Sequence, residues 1–160
     1  MLRDWIEQAA GRHGDAVYLA EARGDGTLTY AGLRTAVRDW ERRLDEAQDF
    51  YVTRLGCKLA RRYADRITLD FFGDQVVCHL TEGEPAKPES LYPRHFGVTF
   101  LEAADFEALH ACAVTRKIPF YHEVAVRFGG MVEEHRTFVL VDPAGNLLEF
   151  KHYNDPRMMY

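Results

Sequence analysis

A carboxylate on a β-strand can act as a general base, a metal ligand or a plain surface charge, and Glu149 poses that choice. It lies in the run from His135 to Lys151, where two β-rich stretches flank Asp142-Pro143-Ala144-Gly145. Proline presets φ for a turn and glycine supplies the positive φ that closes it, so the run reads as a β-hairpin. Along the strand from Asn146 to Tyr153 the side chains alternate. Leu147, Glu149, Lys151 and Tyr153 share one face, and Leu148, Phe150 and His152 share the other. A lone glutamate there is more often solvated than functional, because carboxylates are seldom buried unpaired. Lys151, Tyr153 and Arg127 are candidate acid-base or substrate-lining groups, each with a structural role as the commoner alternative. His13, His110, His122, His135 and His152 are expected to be ordinary polar residues, with His13 and His152 exposed.

The composition narrows the setting. A chain of 160 residues, 47% hydrophobic, suffices for one core and a small appendage. The net charge of −5, with no element concentrating the basic residues, argues against a nucleic-acid partner. No apolar run approaches the roughly 20 residues of a membrane span. The opening Met1-Leu2-Arg3-Asp4-Trp5-Ile6-Glu7 lacks the basic-then-apolar order of a signal peptide, so a cytoplasmic location is expected. Cys57, Cys78 and Cys112 are odd in number and widely spaced, which suits reduced thiols, and no CxxC pair signals a zinc finger.

Helical spacing of Leu2, Trp5, Ile6, Ala9 and Ala10 predicts a short opening helix. Val17 to Ala22 and Thr27 to Tyr30 flank Gly24-Asp25-Gly26 as a hairpin. Thr29 can cap a helix striped by Leu33, Val37, Trp40 and Leu44. A further helix is expected through Ala47, Phe50, Tyr51 and Leu55, stopped by Gly56, followed by strands at Cys57 to Tyr63, Ile67 to Phe72 and Gln75 to Leu80. The proline-bearing stretch from Thr81 to Arg94 reads as a linker. Beyond it come a strand at His95 to Phe100, a helix marked by Phe106, Leu109, Cys112 and Ala113, and strands at Phe120 to Phe128, Arg136 to Val141 and Asn146 to Tyr153. The second half is thus a β-α-β-β-β module, and the first half the same module without its leading strand. Most of the phenylalanines, Phe71, Phe72, Phe96, Phe100, Phe138 and Phe150 among them, are expected in the core.

Two resemblances follow from these residues. Arg12-His13-Gly14-Asp15-Ala16, Thr27-Leu28-Thr29-Tyr30-Ala31-Gly32-Leu33 and Trp40-Glu41-Arg42-Arg43-Leu44 resemble the first segment of adenylate-forming enzymes, the acyl-CoA synthetase and adenylation family. That family's glycine-rich phosphate loop has no counterpart, so residues 1–45 imply no ligase activity. Residues 46–160, with His95 opening one strand and Asp142-Pro143-Ala144-Gly145-Asn146-Leu147-Leu148-Glu149-Phe150 on the last hairpin, resemble the vicinal oxygen chelate superfamily. This group includes glyoxalase I, extradiol dioxygenases, fosfomycin-resistance enzymes and bleomycin-resistance proteins.

The second resemblance implies an α+β fold of paired β-α-β-β-β modules, here 46–80 and 95–160, around an open, cupped sheet. It places metal ligands at His95 and Glu149, with Glu149 also catalytic, for a divalent ion that could be Zn, Mn, Ni, Co or Fe. Imidazole nitrogen and carboxylate oxygen on rigid strands suit such an ion and leave positions for a substrate chelating through two oxygens. A third ligand is expected. His79 is the first candidate, although aligning Gly73 with Gly145 sets it opposite Lys151, so it reads equally as a ligand or as an ordinary polar neighbour. The ligand expected from the first module's leading strand is missing, and of the two N-terminal strands, Val17 to Ala22 and Thr27 to Tyr30, neither holds a histidine and Glu21 is the only metal-binding side chain. Either the N-terminal hairpin substitutes, a partner chain fills the gap, or the site is incomplete. The expected function is a metal-dependent glyoxalase- or dioxygenase-like enzyme acting on a small oxygenated metabolite. The alternatives are a non-catalytic binding protein of the bleomycin-resistance type and an inactive fusion. Dimerisation is implied by the resemblance alone.

Overall fold

The turn at Asp142 shows how this sequence folds its second half. Gly145 adopts φ +86°, its N–H donates to the Asp142 carbonyl at 2.9 Å, and the Asp142 N–H donates to the Asn146 carbonyl at 3.0 Å. The Asp142 carboxylate accepts the Asn146 N–H at 2.7 Å and its side-chain amide at 2.8 Å, so the aspartate organises the bend locally. The computed structural model describes residues 2–20, 26–81, 83 and 88–160, apart from the side chains of Leu2 and Ala20. The chain divides into two units, Met1–Asp45 and Glu46–Tyr160.

In the first unit, helix α1 (Leu2–His13) leads into the antiparallel pair β1 (Val17–Ala20) and β2 (Thr27–Thr29), then into helix α2, whose full span is Tyr30–Gln48. Thr29 Oγ1 accepts the Gly32 N–H at 3.0 Å, the cap that its sequence position implies. The expected Gly24-Asp25-Gly26 turn and Glu21 fall outside the described residues, except for Gly26.

The helix expected from Ala47 is not a separate element. α2 continues to Gln48 and passes into a π-helical turn, Asp49–Arg54, that buries Phe50 and Tyr51. No glycine or proline interrupts residues 33–55, so nothing in the covalent chain stops the helix before Gly56, which takes φ +94°. Strands β3 (Lys58–Arg62), β4 (Arg66–Phe71) and β5 (Asp74–His79) then form an antiparallel sheet in the order β3-β4-β5. Among the described residues the outer edge of β5 pairs with no strand.

The second module is β6 (Phe96–Phe100), α3 (Ala103–Thr115), β7 (Phe120–Arg127), β8 (His135–Val141) and β9 (Leu147–Tyr153), its four strands ordered β6-β9-β8-β7. β9 is central, parallel to β6 and antiparallel to β8. One sheet face carries Phe138 and Phe150, stacked at 5.3 Å between centroids, with Phe106 of α3 against Phe138 at 5.1 Å. The tip of the β4–β5 hairpin packs there too. Phe71 lies 5.8 Å from Phe96 and 6.1 Å from Phe150, and Phe72 lies 5.7 Å from Phe100. His152, expected to be exposed, is buried on this face, with Nδ1 3.2 Å from the Phe100 carbonyl. Strands on both sides of β9 and the Phe106 ring, 6.3 Å away, cover it almost entirely.

Candidate functional site

The opposite face of the same sheet holds the chemistry. Paired residues on adjacent strands point the same way, so Gly97 and Val139, which flank Glu149, and Thr99 and Thr137, which flank Lys151, share its face. Gly97 permits the arrangement. A Cβ at that position would lie 1.7 Å from the Glu149 carbonyl oxygen, so only glycine lets β6 approach β9 this closely. His95, just before β6, is thereby brought beside Glu149.

Glu149 is only 7% exposed and has several polar neighbours. Its Oε2 lies 3.2 Å from His95 Nε2 and 3.0 Å from Lys151 Nζ. The Thr137 hydroxyl lies 3.0 Å from Oε1 and also 3.1 Å from the Phe150 carbonyl, so its one hydrogen is shared between two acceptors. His95 Nδ1 lies 3.0 Å from the Leu91 carbonyl. A carbonyl can only accept, so Nδ1 carries the hydrogen, and Nε2 is the nitrogen turned towards the carboxylate. A lone pair on Nε2 facing a carboxylate oxygen requires a proton or a cation between them.

That pairing allows a test of metal fit. Metal–nitrogen bonds of about 2.0–2.1 Å and metal–oxygen bonds of about 2.0–2.2 Å put two donors of one ion roughly 3 Å apart. The observed 3.2 Å between Nε2 and Oε2 suits two donors of a single divalent ion. The anchored Nδ1 is the outer contact that fixes a ligating imidazole. Among the described residues, however, no group of three or more His, Cys, Asp or Glu side chains is arranged to hold a metal. The pair therefore fits as a partial donor set, with further positions left for solvent, substrate or another donor.

His79 is not gathered with them. It is the exposed last residue of β5, paired across the sheet with Arg66, whereas Glu149 is the third residue of β9. Sequence reasoning singled out Lys151 as a lining candidate but missed its ion pair with Glu149, and it missed Thr137, Gly97 and the Leu91 carbonyl. Thr137 was within reach of inference, since counting back through the hairpin turn sets it opposite Lys151. The Leu91 contact comes from an irregular segment, where side-chain alternation offers no guide.

A cavity of about 710 Å³ opens beside His95, lined by Glu89, Tyr92, Arg94, His95, Asn146 and Leu147 among others. Tyr92 meets the His95 ring edge-on at 5.5 Å. Leu91, Val139 and Leu147 form a small apolar cluster, with Val141 packed against it. The cavity itself is concave and lined by both polar and apolar side chains, as small-molecule sites commonly are.

The family comparison agrees with this architecture. The family model of the Glyoxalase/Bleomycin resistance protein/Dioxygenase superfamily matches residues 40–150, and the chain belongs to that superfamily. A glyoxalase/bleomycin resistance protein/dioxygenase from Alicyclobacillus acidocaldarius is 63% identical, with a TM-score of 0.70, over 73% of this chain and 88% of its own. A fosfomycin resistance protein from Listeria monocytogenes is similar in fold, with a TM-score of 0.55 at 9% identity over 73% of this chain and 88% of its own. A lactoylglutathione lyase from Agrobacterium tumefaciens is likewise similar in fold, with a TM-score of 0.51 at 16% identity over 68% and 84% of the two chains. No curated protein matches. Residues 1–39 lie outside the family match, so their resemblance to adenylate-forming enzymes finds no support there. Among the described residues no helix is long and apolar enough to cross a membrane.

Proposed function

We propose that this protein is a divalent-metal-dependent enzyme of the glyoxalase/dioxygenase type, acting on a small oxygenated metabolite. The observation that carries the reading is the 3.2 Å approach of His95 Nε2 to Glu149 Oε2, with Nδ1 already committed to the Leu91 carbonyl. A divalent ion held by this pair would supply Lewis acidity towards a substrate oxygen. The chain's own residues do the rest. The Leu91 carbonyl fixes the imidazole, Thr137 orients the carboxylate, and the cavity beside His95 admits a small molecule. Glu149, buried between strands, is the group placed to move a proton. His79 does not enter this proposal as a donor, because no third His, Cys, Asp or Glu stands with the pair among the described residues.

A second reading, a binding module of the bleomycin-resistance type, draws support from the same two-donor count and from the Lys151 charge on Glu149. Metal content after loading with manganese, nickel or zinc separates them. The enzyme reading expects about one ion per chain, lost in both His95→Ala and Glu149→Ala. Loaded wild-type protein that emerges without metal from gel filtration supports the binder.

A further inference from the structure

We propose that Lys151 is a resident cation of the site, and that a divalent ion binds only by displacing its ammonium from Glu149; this rests on the reading of His95 and Glu149 as a metal-binding pair. Lys151 Nζ lies 3.0 Å from Glu149 Oε2, the same oxygen that faces His95 Nε2 at 3.2 Å. The other carboxylate oxygen is already engaged by the Thr137 hydroxyl at 3.0 Å. Both carboxylate oxygens therefore already have a partner, and the one beside the imidazole is held by a competing positive charge.

The placement is built into the strand. Lys151 follows Glu149 by two residues on the central strand, on the same face and between Thr99 and Thr137 of the neighbouring strands. The Glu149 side chain is 6% exposed, so its charge is poorly screened by water and demands a nearby cation. The Lys151 side chain is 29% exposed and ends a flexible four-carbon stem, so the ammonium has a way out to solvent that the carboxylate lacks. Lysine thus compensates the buried carboxylate when no metal is bound, and it withdraws when a dication takes the oxygen. The affinity of the site is set low by this side chain, and the exchange couples metal occupancy to the position of an ammonium at the substrate face.

Manganese binding measured by calorimetry, and independently by the electron paramagnetic signal of free Mn²⁺, tests this on the full-length protein. Lys151→Met should bind manganese at least about tenfold more tightly than wild type, whereas Lys151→Arg, which retains the charge, should stay within about threefold. Adding His95→Ala to Lys151→Met should abolish the gain, which ties it to this site. Lys151→Gln carries the same expectation as Lys151→Met if the latter fails to give a cooperative thermal transition. Wild-type binding that Lys151→Met leaves unchanged or weakens overturns the role of Lys151 and leaves the metal pair standing. Absence of binding in wild type and in every Lys151 variant overturns both.

Discussion

At the scale of single residues, burial decides which groups are chemically available. Glu149 is buried but has partners on both oxygens, so it keeps its place in the sheet without being an orphaned charge. The thiols differ. Burial, with a smaller contribution from the Asp70 charge, pushes Cys57 from its ordinary 9.0 up to about 12, and burial followed by the Asp142 charge pushes Cys78 up to about 11. The folded protein therefore favours the protonated thiols. Stability is intact below about pH 9, where the unfolded chain also holds these protons, and is lost as pH rises from there towards 11–12. Tyr51, raised by burial and then by Asp142, acts in the same direction. Urea midpoints measured between about pH 8 and pH 10.5 should fall for wild type and fall less steeply for Cys57→Ala. Equal slopes would show that this thiol does not carry the dependence.

At the scale of elements, the second module was legible and the site only half so. Alternating apolar residues and the Asp142 to Asn146 turn give the strand faces, so the sequence itself groups Leu147, Glu149 and Lys151 on one face, as the strand pairing bears out. The π-helical turn at Asp49–Arg54 was not legible, because the apolar spacing of Phe50, Tyr51 and Leu55 suits an α-helix as well. Nor does alternation reveal which neighbouring strand supplies a partner. It could group Glu149 with Lys151, but not show an ion pair between them or a bond to Thr137. Gly97 gives the clearest element-level test. Gly97→Ala should push β6 from β9, cost about 3 kcal/mol or more, and separate His95 from Glu149, as measured by urea denaturation and metal binding. Retention of both stability and metal affinity would contradict the close strand approach.

At the scale of the whole molecule, the two modules of residues 46–160 are joined through an aromatic seam and several polar contacts, among them Arg54 donating to the Arg116 and Lys117 carbonyls and Arg116 donating to the Thr53 and Arg54 carbonyls. Phe71 and Phe72, at the tip of the β4–β5 hairpin, pack on Phe96, Phe100 and Phe150 of the second sheet. Tyr51 donates its hydroxyl hydrogen to Asp142 at 2.9 Å, tying the π-helical turn to the hairpin that leads into the Glu149 strand. These modules should therefore unfold in one transition. Phe71 is 1% exposed, and Phe71→Ala should cost about 3–5 kcal/mol while weakening metal binding from a distance. Separate melting of the modules by near-ultraviolet and far-ultraviolet circular dichroism would show that the seam does not couple them. The repeat expected from sequence is present, but its halves are unequal. β9 has β6 beside it, whereas among the described residues β5 has no such neighbour, and among those residues no third donor joins His95 and Glu149.

The proposed chemistry depends most on His95 and Glu149 serving as neighbouring donors to one cation. Nitrogen-15 spectra of the histidine rings, recorded while zinc is added to wild type and to Glu149→Gln, read this directly. His95 should be protonated at Nδ1 throughout, its Nε2 resonance should shift on zinc binding, and Glu149→Gln should greatly weaken the response. A His95 ring that zinc leaves unchanged, or a response confined to His79 and the other histidines, would contradict it.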